Sequence, residues 1–475
     1  MSSLVSFRDP GGFCFVHQGK FFRAVTPESL IPIVPFLKSD TAKALISQHD
    51  LVSTRQLEPR EQEALFRTDE FRQLTNGYRI GAVFEHEKID FASYPYEWAP
   101  EMLYAAGRLT LDLAQQCLRE DYSLKDASPY NVFFRKGAPV FIDLLSFERR
   151  NPCDPIWNPY AQYCRNFLLP LLAHKTWGVP LSDIFTSRRD GIKPADIYRL
   201  CSPIQRLLRP FLTLVTLPTW LSRKKIHRTV YRDRLLKDGE KARFILNSSF
   251  GRIRRILHRV QPNGSKSFWE HYSECHSYPE AAFNAKKEFL ESCLREIQSR
   301  RVLDVGANTG HFSVCAAQAK ADVVAIDSDA GCVGALWMKV ESEKLNILPL
   351  VVDFSRPSAA QGWRNRECAS FLDRAGGAFD AVIMFGILHH LLVSERIPLK
   401  EILEVAEGLT SSWLLIEFVL PQDEMFQILT RGRDSLHADL NESRFEGDCK
   451  EKFEIVRKQR LPGMERCLYL LHKRA

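Results

Sequence analysis

From residue 300 onward, short apolar runs recur at a regular interval: Val302–Val305, Val323–Ile326, Ile347–Val352, Ala381–Phe385 and Trp413–Val419. Each run is four to seven residues long, the length of a buried strand. Stretches with helical spacing, such as His311–Ala319 and Leu399–Leu409, lie between most of them. Strands alternating with helices predict a parallel sheet with crossover connections, an α/β architecture. The chain then changes rhythm. Phe453–Leu461 and Arg466–Lys473 read as two strands joined around Leu461–Met464 (LPGM), an antiparallel hairpin that closes the sheet.

The first half is less regular. NVFFRKGAPVFID (131–143) predicts a strand, a Lys-Gly turn and a second strand, and PIWNPYAQYCRNFLLPLLA (155–173) predicts a buried aromatic helix. Leu207–Leu221 is apolar but is broken by Arg209, Pro210 and Pro218. It is too short to span a bilayer and reads as a buried helix or an interfacial segment. A Pro/Asn/Gly/Ser cluster at Gln261–Lys266 marks a boundary. The pattern therefore divides the chain into residues 1–203, a basic helical connector over 204–262, and 263–475. No internal repeat or low-complexity tract interrupts it.

Composition adds three constraints. A chain of 475 residues with 45% apolar and 26% charged content is ordinary for two or three soluble domains. None of its twelve cysteines lies within ten residues of another, so zinc knuckles and thioredoxin-type motifs are disfavoured. The start, MSSLVSFRDPGG, has neither a basic region nor an apolar core, and the expectation is a cytoplasmic protein without a membrane span. The net charge of +7 is concentrated: residues 222–260 hold thirteen Lys/Arg against three acids, 13 − 3 = +10. Such a segment suits nucleic acid, anionic lipid or an anionic substrate, or is a solvated helix face between domains.

The chemistry centres on RVLDVGANTGHFS (301–313). A strand runs into Gly306-Ala-Asn308-Thr-Gly310, and a helix restarts near His311. Glycines there permit positive φ and close approach of a ligand to the backbone. The spacing is G-x-N-x-G, not the G-x-G-x-x-G that receives a pyrophosphate. Asp304, two residues before the first glycine, repels phosphate and suits a ligand with a cationic part. Asp327 ends the second run, seventeen residues after Gly310, where a carboxylate accepts both hydroxyls of a ribose. Asp353 ends the third run, with Phe354 beside it, positioned for an adenine ring.

With these residues in place, 263–475 resembles a class I S-adenosylmethionine-dependent methyltransferase. DVGANTG corresponds to its first motif, Asp327 to its ribose acid, Asp353 to its adenine acid and FDAVIMFGILHHL to its fourth-strand motif. The resemblance implies a Rossmann-like seven-stranded sheet of order 3-2-1-4-5-7-6, with S-adenosyl-L-methionine as cofactor. It also implies in-line displacement at an activated methyl carbon, in which the protein mainly aligns donor and acceptor. His389 and His390, just past the fourth strand, are the candidates for a general base. Alternatively, His390 caps or packs while His389 contacts the cofactor. Glu417, ending LLIEF, is placed either to bind the acceptor or to serve the structure. No cluster suggests a metal. The aromatics of 267–300 (Trp269, Tyr272, Tyr278) suggest a lid over the cofactor, or a linker helix.

A second constellation occupies DYSLKDASPYNVFFRKGAPVFIDLLSFE (121–148). Asp126 and Asn131 are five apart, and Asp143 follows a predicted hairpin. The arrangement resembles the catalytic segment of aminoglycoside-phosphotransferase-type kinases, an α+β domain in which such residues hold the hydroxyl proton and metal. Leu124 replaces the expected His, Leu-Leu follows Asp143, and no glycine-rich loop or clear strand lysine is present; Lys20 and Arg23 lack the usual context. Three readings remain: an ordinary helix and hairpin, a kinase-like domain kept for binding, or active phosphotransfer.

Over its whole length, through SYPYEWAPEML, LKDASPYNVFF, PVFIDLLSF and VLDVGANTGHFS, the chain resembles host-specific nodulation proteins. That resemblance implies a small-molecule or carbohydrate-like acceptor, recognised with help from the first half. The alternatives are a nucleic-acid methyltransferase that grips phosphates through 222–260, and a non-catalytic scaffold. Against the former, HHLL stands where many base-amino methyltransferases have N/D-P-P-[YF].

Overall fold

The computed structural model describes residues 8–75, 79–223, 235–262, 279–437 and 439–474. Its first sheet is antiparallel, in the order β1 (Gly12–His17), β2 (Lys20–Val25), β4 (Ala82–His86), β3 (Thr54–Gln56). Strand alternation gives this sheet two different faces. Phe13, Phe15, Phe22 and Val83 turn outward onto Leu65 and Phe71 and form a small core of their own. Val25, Ala82 and Phe84 turn inward to the main core. Arg23, in register with Cys14 and Phe84, shares that inner face.

Behind the sheet lies the helix Pro100–Cys117, with thirteen of its eighteen residues buried. With only Arg108 exposed and Asp112, Gln115 and Gln116 half-buried on its open side, this helix is the axis of the first half. β5 (Tyr122–Leu124) pairs with β8 (Phe147–Arg149), and β6 (Val132–Arg135) with β7 (Ala138–Phe141). The β6–β7 turn is Lys136-Gly137, with Lys136 at φ +55°, so the strand, Lys-Gly turn and strand read from the sequence are all present. Residues Tyr160–Trp177 are helical, with Tyr163 and Phe167 fully buried.

The second half is a seven-stranded sheet: β9 (Arg301–Val305), β10 (Asp322–Asp327), β11 (Ile347–Val351), β12 (Phe379–Met384), β13 (Thr410–Val419), β14 (Phe453–Arg460) and β15 (Arg466–Lys473). Its order is β11-β10-β9-β12-β13-β15-β14, in chain order 3-2-1-4-5-7-6. All pairs are parallel except β13–β15 and β14–β15. Every predicted apolar run lies on a strand. Except for β11, which starts with its run at Ile347, the parallel strands start earlier than the runs, β13 at Thr410 instead of Trp413, because backbone pairing continues past the apolar centre of the sheet.

A break in the sequence pattern is not a break in packing. Buried side chains from both halves form one continuous apolar cluster. Trp337, on the helix Ala330–Glu343, donates its indole N–H to the carbonyl of Gly137 at 2.9 Å. A Cβ on Gly137 would lie 2.5 Å from Val340 Cγ1, so a larger residue there requires the Val340 side chain to shift. Glu97, fully buried, accepts hydrogen bonds from Ser358 and Arg374. The Arg374 guanidinium lies over Tyr94, Phe91 and Phe371 at 5.0, 5.1 and 5.7 Å. This pairing of a buried charge with three ring faces fastens SYPYEW to the second sheet.

Candidate active site

The connections from β9 and β12 leave the centre of the second sheet in opposite directions, and open α/β sheets bind ligands at such a switch point. β9 ends in the turn Gly306–Gly310, with Gly306, Asn308 and Gly310 at φ +74°, +51° and +82°. Positive φ at the two glycines is what lets the turn double back without a side-chain clash. Backbone N–H groups of Gly306 and Ala307 donate to the Ile326 carbonyl at 2.9 and 3.0 Å, which pins the turn beside the tip of β10.

At that tip, Asp327 Oδ2 accepts from the Asn308 N–H at 2.8 Å and Oδ1 from the Asp329 N–H at 2.9 Å. Burial raises its pKa, against the pull of those two amides. Asp304 is buried below the turn and accepts from Ser313 Oγ at 2.6 Å. Burial pushes its carboxyl up to about 6. Asp353, just beyond β11, is more open. Burial acts to raise its pKa, but Ser355 and Arg356 hold it lower. Phe354, next to it, is half-buried against the core. The three acids and the glycine turn thus lie at the same end of the parallel strands.

Past β12 the chain turns through Gly386 (φ +68°) into His389 and His390. Their rings are 4.3 Å apart. His389 is buried, and its Nδ1 has no hydrogen-bond partner among the described residues. Burial, then His390 and Arg466, push its pKa down to about 3, so the ring is neutral. His390 shifts down for the same leading reason, burial.

Glu417 on β13 has no exposed surface. Its Oε2 is 2.5 Å from Lys286 Nζ and its Oε1 3.5 Å from Arg466 Nη1. Arg466, on β15, also grips Asp423 with two bonds of 2.7 and 2.9 Å. Burial alone would raise the Glu417 pKa; Lys286 and Arg466 outweigh it and hold the carboxylate down at about 2. Among the described residues, two cations and two anions thus meet inside the protein. Lys286 Nζ lies over the rings of Phe312 and Phe385 at 5.0 and 5.2 Å. Three members of this cluster, Lys286, Asp423 and Arg466, are absent from the sequence-derived candidates. Lys286 carried a usable signal: it interrupts the apolar stripe Ala282, Phe289, Leu290, Cys293 of the helix Glu280–Ile297. Trp269, Tyr272 and Tyr278 lie outside the described residues.

In the first half, Asp126, Asn131 and Asp143 also meet. Asn131 Nδ2 donates to Asp126 Oδ2 at 3.1 Å and to Ser146 Oγ at 3.2 Å, and Ser146 Oγ donates to Asp143 Oδ2 at 2.5 Å. Arg23 Nη1 is 3.1 Å from Asp143 Oδ1. Burial raises the pKa of Asp126. Among the described residues, no group of three or more His, Cys, Asp or Glu side chains is gathered for a metal ion. No helix among them is long and apolar enough to cross a membrane.

Residues 274–434 match the family model described as a methyltransferase domain. Over 475 aligned positions the chain is 28% identical to nodulation protein NoeA of Rhizobium meliloti (strain 1021), covering 98% of this chain and 95% of that one. Among solved structures, it is similar to N-methyltransferase NodS of Bradyrhizobium japonicum WM9, with 13% identity, TM-score 0.31, and coverage of 41% of this chain and 98% of that one. It is also similar to the bifunctional kinase-methyltransferase WbdD, with 15% identity, TM-score 0.29, and coverage of 41% and 40%.

Proposed function

We propose, from the premise that this chain is an S-adenosylmethionine-dependent methyltransferase related to nodulation proteins, that it methylates a small carbohydrate-like acceptor of the nodulation-signal kind. The observation that carries the cofactor reading is Asp327, a carboxylate at the tip of β10 held beside the Gly306–Gly310 turn by the Asn308 amide. In this reading the turn admits the methionine part and Asp304 faces its ammonium. Asp327 accepts the ribose hydroxyls, and Asp353 with Phe354 receives the adenine. The sulfonium donor supplies an already activated methyl group, so the protein's work is to align the acceptor and exclude water.

His389 serves that alignment as a neutral ring with an open Nδ1. With a pKa near 3 it is a weak base, and it fixes the acceptor through a hydrogen bond. Glu417 acts one step back: with both oxygens on cations, it holds Lys286 and Arg466 in place and takes up no proton. The first half is read as a kinase-like domain retained for recognising the acceptor. Asp143, engaged by Arg23 and Ser146, supports binding over phosphotransfer.

The test is transfer of a labelled methyl group to oligosaccharides bearing free amines or hydroxyls, with RNA and DNA as competing acceptors. Incorporation into the oligosaccharide is expected; incorporation into nucleic acid alone contradicts the reading. With the accepted substrate, His389→Asn is expected to lower kcat about 10²-fold through lost alignment. The wild-type rate is expected to show no histidine titration across roughly pH 5–8. An apparent pKa near the ordinary histidine value of about 6.5, lost in the variant, would instead make His389 a titrating base.

A further inference from the structure

We infer that the face formed by residues 199–221 docks onto an anionic lipid bilayer. Nineteen large apolar side chains stand exposed among the described residues, and seven of them fall between Leu200 and Leu221. Isolated exposed apolar residues are ordinary, but a cluster of this density marks an interaction site. Leu200, Ile204, Leu207, Leu208, Trp220 and Leu221 are each 46–72% exposed.

The exposure is not loose packing, because the opposite side of the same segment is anchored. Leu214 and Val215 are buried, and Phe211 packs edge-on against Trp177 at 5.8 Å. Trp220 Nε1 donates to the Tyr198 hydroxyl at 3.2 Å, and the Arg206 guanidinium lies over the same ring at 4.1 Å. The fold thus holds one face of the segment and presents the other.

Charge identifies the occupant. From Ile197 to Arg232 the sequence has no acid in 36 residues and has eight Lys/Arg. Within the described part, exposed Arg199 and Arg209 flank the apolar cluster. Leucines inserted among arginines, with a tryptophan at the margin and one carboxylate at the edge, Asp196, which is shared between Arg188 and Arg199, match the interface of a bilayer with anionic headgroups. A nucleic acid is served less well, since aliphatic side chains offer no platform for stacking bases. A second copy of this face would set arginines against arginines.

The test is co-sedimentation of the full-length protein with phosphatidylcholine vesicles, with and without phosphatidylglycerol. Binding is expected to the phosphatidylglycerol vesicles and to weaken at high salt. Ile204→Glu/Leu208→Glu is expected to lower it about 10-fold or more, at an unchanged unfolding midpoint. Arg199→Glu/Arg209→Glu gives an independent arm, reducing binding through charge alone should the first variant unfold. Wild-type protein that stays in solution with both vesicles overturns the proposal. So does vesicle binding that neither variant weakens. A wild-type dimer that Ile204→Glu/Leu208→Glu converts to monomer, without any vesicle binding, overturns it in favour of a second copy of the chain.

Discussion

Asp327→Ala is expected to lower affinity for S-adenosylmethionine about 100-fold, roughly 2.7 kcal/mol, the scale of charge-assisted hydrogen bonds lost from a half-buried carboxylate. Three features of the site lead to this figure. The carboxylate is half-buried, so its bonds to a ligand meet reduced competition from water. It sits at the tip of β10, facing the turn where the ligand backbone must pass. Its two oxygens already accept one amide each, from Asn308 and Asp329, which fixes the orientation of the free lone pairs before any ligand arrives. If, as proposed, the ribose is the part Asp327 addresses, adenosine and S-adenosylhomocysteine are expected to lose affinity by a similar factor in the variant. Isothermal titration of the three ligands against wild type and variant measures this. A variant that binds all three within a factor of about two of wild type removes Asp327 from the cofactor site.

The second large effect concerns Glu417. Glu417→Gln removes the carboxylate that bridges buried Lys286 and Arg466, and breaking one partner of a buried charge pair costs about 3–5 kcal/mol. The double variant Lys286→Met/Glu417→Gln removes one charge of each sign and is expected to regain much of that loss. Urea unfolding of the two single variants and the double variant gives the coupling. The pH dependence follows from the direction of the shift. Glu417 is depressed from 4.5 unfolded to about 2 folded, so its stabilising contribution is complete above pH 4.5 and is lost as pH falls toward 2. The Gln variant is expected to lose less stability than wild type across that acid range. A single-variant loss below about 1 kcal/mol, the level of an exposed ion pair, would mean the cluster is not the dry unit described above.

The second half was largely legible in the sequence because its parallel strands are buried on both faces. Such strands read as apolar runs, and the first three carry an acid at or near the end, Asp304 within the first, Asp327 after the second and Asp353 after the third, that the fold carries to one edge. Local spacing was sufficient there, since each acid lies next to the strand that positions it. The Lys286–Glu417–Arg466–Asp423 cluster was not legible in the same way. Lys286 and Glu417 are 131 residues apart, and Arg466 reaches the site only through the antiparallel pairing of β15 with β13, which sets it opposite Val419. Nothing local marks these residues as partners, so Glu417 read as a lone acid. The same holds for Arg23. Strand alternation in KFFRAV places it inward, but only the packing of the first sheet onto the β6–β7 hairpin reveals Asp143 as its partner. The common core was hidden for a further reason: the apolar positions of Pro100–Cys117 predict burial without saying against what.

Calorimetric titration of the wild-type, full-length protein with S-adenosylmethionine is the most direct test of the account. Saturable binding at one site per chain, competed by S-adenosylhomocysteine, is the predicted result. The absence of any binding heat or competition, from a protein that unfolds cooperatively, would contradict it and leave the glycine turn and its three acids as structural features alone.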